Sequence, residues 1–237
     1  MNFRNFLPSN TLFKSISIVG VWTLLSRILG FVRDICMATF LGSGPMAEAF
    51  LIAFSIPNMF RRLFAEGAFS TAFIPMFSRK TTNKSIAENF ASDSLSLLLT
   101  ALIGLIAIAE LFMPLFVFVM ASGFYGDIRF EMTVNYARVM FPYIVFISLA
   151  AFFSGILNSF NRYSVAAAVP LLLNLFLLIA LMLAHILNKN YGMFLIVAVP
   201  FAGGLQLFVI WYAARKLKLS IKLKIPVFNQ DIKKLLK

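Results

Sequence analysis

One cysteine and one histidine stand in 237 residues. Cys36 is alone in an apolar run, which excludes a disulfide framework and a thiolate metal cluster. His185 lies at the end of an apolar stretch and reads as a solvated side chain. The chain has no Asp-rich metal motif, no His-Glu-x-x-His and no glycine-rich phosphate loop. The expectation is therefore a protein that is not an enzyme, with no catalytic residues, no metal and no cofactor. Acidic residues are scarce as well: nine against 21 lysines and arginines, for a formal net charge of +12. Met1–Lys14 is polar and basic, and no short apolar stretch with a small-residue cleavage site follows it. No cleavable signal peptide is expected, and the first apolar stretch is its own insertion signal.

Apolar residues, by contrast, make up 61% of the chain, with a mean hydropathy of +0.90. Runs of about 20 apolar residues imply a polytopic membrane protein. The basic charge alone would suggest nucleic acid, but its distribution argues against that partner. Eight of the 21 basic residues fall in the last 23 positions: Arg215, Lys216, Lys218, Lys222, Lys224, Lys233, Lys234 and Lys237. A basic tail after a span lies against the anionic cytoplasmic leaflet, so anionic membrane lipids are the expected partner there.

The expected fold is an all-α polytopic membrane protein with six spans. They run from about Ser15 to Leu41, Met46 to Phe77, Ile86 to Met120, Met132 to Asn158, Val165 to Leu187 and Tyr191 to Leu217. The domain organisation is then a cytoplasmic N-terminus (1–14), a six-helix lobe (15–217) and a basic cytoplasmic tail or linker (218–237). The first three spans exceed the length of a perpendicular helix and must tilt, kink or project. With both termini inside, cytoplasmic segments hold fourteen cations: Arg4, Lys14, Arg79, Lys80, Lys84, Arg162 and the eight of the tail. Outer loops hold only Arg129 and Lys189. That asymmetry predicts an N-in, C-in orientation. Helix breakers fall inside the stretches: Gly30, Pro57, Pro142, Pro170 and Pro200. Broken helices survive at membrane depth only against protein or a water-filled cavity, although glycine and proline are common in membrane helices generally.

Five cations remain, all arginines inside apolar stretches: Arg27, Arg33, Arg61, Arg62 and Arg138. A charge near the bilayer centre costs about 2.5–3.5 kcal/mol even on the lenient insertion scale. Four of the five lie in the first two spans, beside Asp34, Glu48 and Glu66. Arg27 and Asp34 are seven apart and share a helix face. Arg62 and Glu66 are spaced i, i+4 and can pair. Glu48, near the outer end, lies roughly on the face of Arg62. Guanidinium forks bind phosphate oxygens bidentately and stay charged at any relevant pH, so incomplete mutual neutralisation suits an anionic substrate, a diphosphate in particular. The other reading is that Arg61 and Arg62 snorkel to the headgroups and Arg27 neutralises Asp34. Arg138 has Asp127, Glu131 or a backbone carbonyl as candidate local partners.

The motif S-R-x-L-G-x-x-R-D begins at Ser26, A-F-x-x-A-F at Ala49, and P-N-x-x-R-R-x-F-A-E-G-A-F-x-x-A-F-x-P at Pro57. Together they make the stretch Leu24–Ser78 closely resemble the N-terminal signature of the MurJ/MviN lipid II flippases. Phe141–Asn174 resembles the fourth and fifth spans of the same family. The resemblance implies the multidrug/oligosaccharidyl-lipid/polysaccharide exporter fold, two six-helix lobes in a V around a central cavity. It implies a flippase that moves undecaprenyl-diphosphate-linked muropeptide (lipid II) from the cytoplasmic to the outer leaflet of the bacterial inner membrane. The implied substrate-binding residues are Arg27, Arg33, Arg61, Arg62 and Glu48, with Asp34 and Glu66 as supporting polar groups. Many family members carry Asp where Glu48 stands.

Family members have more than twice as many spans as this chain. The last residues read as the approach to a seventh span, so the expectation is a truncated or split N-terminal half, with a separately encoded C-terminal lobe as partner. Two further readings stand beside it: an exporter of another polyprenyl-linked glycan or of drugs, and a membrane scaffold whose basic tail recruits cell-wall machinery.

Overall fold

The computed structural model describes residues 10–61, 68–226 and 230–235, and among them the chain is helical, without strands. The first expected span is α1 (Asn10–Leu41), which runs unbroken through Gly30. The second contains α2 (Pro45–Arg61) and α3 (Ala68–Lys80), with 62–67 outside the described residues. The third is divided between α4 (Lys84–Leu111) and α5 (Met113–Met120). The interruption at Phe112 precedes Pro114, whose ring clashes with the preceding turn and which has no N–H to give. The fourth bends where Phe141 and Pro142 separate α6 (Ile128–Met140) from α7 (Tyr143–Ser159). The expected breaks in the last two spans are not formed. Helices α8 (Tyr163–Ile186) and α9 (Tyr191–Arg215) run through Pro170 and Pro200, and α2 likewise contains Pro57. A short helix, α10 (Gln230–Leu235), follows.

Four described segments are long and apolar enough to cross a membrane: Lys84–Leu111, Ile128–Ser159, Tyr163–Ile186 and Tyr191–Arg215. Their ends follow local chemistry. Asn83 caps α4 by accepting from the Ile86 N–H, and Asn190 caps α9 by accepting from the Met193 N–H. The turns into α8 and α9 pass through Asn161 (φ +57°) and Asn188 (φ +50°), and asparagine is among the few residues that take the left-handed region readily.

Cross-helix contacts give the relative directions. Helix α1 runs parallel to α8, joined by Trp22 to Ser164, Arg33 to Asn174 and Phe40 against His185. Helices α2 and α6 are parallel, tied at their first turns by Glu48 and Arg129. The α6–α7 segment is parallel to α9. Cβ atoms added at Gly192 and Gly203 would meet Tyr136 and Tyr143 at 2.5 and 2.6 Å, so only glycine allows the helices to approach this closely. Phenylalanines fill the join of α3, α4 and α7: Phe73 lies 4.9 Å from Phe152 and 5.7 Å from Phe90, ring to ring. Helix α1 packs mainly on α8, and its other side leaves Leu24, Ile28, Phe31 and Ile35 exposed.

The basic segment after α9 is docked on the helical body. Lys218 takes φ +55° and turns the chain back along α4. Alternate N–H groups then find side chains one helical turn apart. Ser220 N donates to Glu88 Oε1 (2.8 Å), Lys222 N to Ser92 Oγ (3.0 Å) and Lys224 N to Ser96 Oγ (2.8 Å). The periods match: four helical residues rise about 6 Å, and two extended residues span about 6.6 Å. Each serine hydroxyl also donates to the carbonyl one turn back, Ser92 to Glu88 and Ser96 to Ser92, so its lone pairs face the strap. Replacing Ser92 and Ser96 together by alanine removes two acceptors worth about 1 kcal/mol each. Amide exchange of residues 220–224, followed by mass spectrometry, should accelerate about fivefold per lost bond. Unchanged exchange would mean that the two serine acceptors do not hold the strap.

Candidate functional site

Two of the expected arginines meet on one cavity. It measures about 620 Å³ among α1, α2, α5, α7, α8 and α9, and its polar lining includes Ser26, Arg33, Asn58, Arg61, Asn174 and Gln206. Leu51, Phe54, Ile147 and Leu173 supply apolar wall. Arg61, the last residue of α2, also lines an adjoining cavity of about 420 Å³ between α7 and α8, beside Asn158 and Tyr163. The described lining of the larger cavity holds two guanidinium groups and no carboxylate.

Arg33 is fixed on both sides. Its Nε and Nη2 donate to Asp34 Oδ1 at 3.0 and 2.7 Å, and its Nη1 donates to Asn174 Oδ1 at 2.6 Å. Asn174 is buried on α8, and its Nδ2 donates to the Ser26 carbonyl at 3.0 Å. A Cβ at Gly30 would lie 3.4 Å from that Nδ2, so the amide packs directly against α1 at this point. In the other reading Arg27 neutralises Asp34; here the guanidinium one residue away, held on its other edge by Asn174, reaches Asp34. Arg61 Nε donates to Asn58 Oδ1 at 3.4 Å, and Asn58 Nδ2 to the Phe54 carbonyl at 2.9 Å. The opposite wall is cross-linked as well. Tyr143 Oη donates to Gln206 Oε1 (3.4 Å), and Gln206 Nε2 donates to the Val169 carbonyl (3.0 Å).

The other expected residues lie elsewhere. Arg27 is exposed on the uncovered face of α1, on the same side as Leu24 and Phe31. Glu48 does not line the cavity. It accepts from Arg129 Nη1 at 2.6 Å, while Arg129 Nη2 donates to Asp127 Oδ2 at 2.8 Å and the guanidinium stacks on Phe124. Asp127 caps α6, and the hydrogen bond from Arg129 holds its carboxyl below the usual value. Asp127 is therefore engaged by Arg129. Arg62 and Glu66 lie outside the described residues. Asn174 and Gln206 were not singled out in the sequence. Each is a lone polar residue in an apolar helix, which is the one signal they give.

Apolar helices of spanning length around an arginine-lined cavity define a multi-pass membrane protein. The family model described as lipid II flippase MurJ matches residues 37–237. A probable lipid II flippase MurJ of Rhizobium tropici is 42% identical over 233 residues, covering 95% of this chain and 44% of the relative. One from Rickettsia prowazekii is 37% identical over 229 residues, 95% of this chain and 45% of its own. A solved structure, lipid II flippase MurJ in an inward closed conformation, superposes with a TM-score of 0.77 at 25% identity, over 92% of this chain and 46% of that one. The chain belongs to the lipid II flippase MurJ family. It spans a little under half the length of these relatives.

Proposed function

We propose that this chain forms one lobe of a lipid II flippase of the bacterial inner membrane, moving undecaprenyl-diphosphate-linked muropeptide to the outer leaflet for cell-wall synthesis. The observation that carries the proposal is the pair Arg33 and Arg61 on one cavity, two guanidinium forks suited to a diphosphate. The uncovered face of α1, with Arg27 among exposed Leu24, Ile28 and Phe31, is where a second lobe would close the substrate space. Alternating access then rocks the two lobes about the diphosphate. The contact directions, with α1 parallel to α8 and the α6–α7 segment parallel to α9, fit the alternation of six spans, and the N-in, C-in sense rests on the excess of cations in the segments assigned to the cytoplasm. In that reading the lysines of 218–237 face the cytoplasmic anionic leaflet.

Equilibrium binding in detergent tests the reading. Lipid II is expected to bind the purified chain more tightly than undecaprenyl phosphate, which has the same tail, one phosphate fewer and no muropeptide. Equal binding would favour an exporter of another polyprenyl-linked glycan.

A further inference from the structure

A second concavity lies on the side of the lobe away from α1. It encloses about 850 Å³ between α4, α7, α9 and the strap, within the size range of sites that bury a small ligand. Its deep part is apolar, walled by Leu99, Leu149, Phe153 and Leu207. Its polar part is at the Arg215 end of α9, where Arg215 and Lys222 line it. Neither cation has an acidic partner among the described residues, whereas Lys224 of the same strap lies 4.0 Å from Asp93. Trp211 and Tyr212 mark the depth of this end. Both are exposed, with Arg215 over the Trp211 ring at 4.8 Å and Lys216 over Tyr212 at 5.1 Å. Aromatic rings beside cations at a helix end sit at the headgroup level of a bilayer.

We propose that this groove binds one anionic phospholipid from the leaflet at the Arg215 end of α9. An acyl chain lies between α4, α7 and α9, and the phosphate is held by Arg215 and Lys222. Charge complementarity selects this occupant. A zwitterionic lipid would satisfy the apolar wall equally well but would set an ammonium beside two cations. The strap contributes both wall and charge, so the site exists only while its backbone is docked on Glu88, Ser92 and Ser96. The proposal needs the membrane-spanning nature of the chain and stands independently of the substrate assigned to the arginine cavity.

Trp211 is a built-in reporter, because the chain has one other tryptophan, Trp22. In the Trp22→Phe background, the full chain is reconstituted in phosphatidylcholine vesicles containing brominated phosphatidylglycerol or brominated phosphatidylcholine at equal mole fraction. Trp211 quenching should favour the anionic lipid, and the preference should fall about fivefold for each cation removed in Arg215→Gln and Lys222→Gln. Lys189→Gln, at the opposite end of α9, should leave it intact. Equal quenching by the two lipids overturns the proposal, as does a preference unchanged in the double variant. Loss of the preference through misfolding is identified by helix content, and Ser92→Ala with Ser96→Ala, which leaves both cations in place, should also weaken it. Displacement of the brominated lipid by undecaprenyl phosphate but not by phosphatidylglycerol would overturn the choice of occupant.

Discussion

Arg33→Ala and Arg61→Ala, each placed in an assembled flippase that contains this lobe, should abolish rescue of cells depleted of their own lipid II flippase, while the protein stays in the membrane at normal level. Both side chains line the same cavity, and no other cation stands in its described lining to take over their role. A charge-assisted hydrogen bond is worth roughly 1.5–3 kcal/mol, so losing one guanidinium fork weakens diphosphate binding by about ten- to a hundredfold. Lysine replacements keep the charge but lose the planar fork, and should retain partial activity. Arg27→Ala has the same expected outcome for a different reason: its charge faces the uncovered side of α1, where a second lobe would bring the substrate against it. Growth scored beside an immunoblot separates lost function from lost protein. Full rescue by the Arg33 or Arg61 variant would remove the cavity from the transport path.

Much of this was legible in the chain because membrane helices advertise themselves. The last two spans were expected at Val165–Leu187 and Tyr191–Leu217, and the helices run Tyr163–Ile186 and Tyr191–Arg215. Apolar runs closed by Asn161, Asn188 and Asn190 leave little freedom in where such helices stop. Interruptions were harder to read. A proline within an apolar run can be absorbed, as at Pro170 and Pro200, or can end a helix, as before Pro114, and the difference lies in packing that composition does not encode. Ionic partners were hardest. Seven-residue spacing puts Arg27 and Asp34 on one helix face, yet Asp34 pairs with its immediate neighbour, whose guanidinium is held by an amide 141 positions away. Glu48 finds Arg129 across 81 positions, at the shared first turns of two parallel helices. Local spacing ranks partners only within one helix, and this site is assembled from six.

Asn174→Leu should loosen α1 from α8 and disable Arg33 together. The leucine cannot accept from Arg33 Nη1 or donate to the Ser26 carbonyl, so a charge-assisted and a neutral hydrogen bond are lost at one partly buried point, for about 2–4 kcal/mol. Thermal unfolding in detergent reads this directly. Asn174→Asp separates packing from electrostatics. Its carboxylate still accepts from Arg33, and with charge, but it can no longer donate to Ser26, and it sets a negative group on the cavity wall. Stability should therefore be partly retained while lipid II binding falls. The Arg33→Ala and Asn174→Leu effects should be strongly non-additive, because both remove the same contact. If Asn174→Asp bound lipid II as tightly as the parent chain, the positive potential of this cavity would not be what holds the diphosphate, and Arg33 would be a strut between α1 and α8.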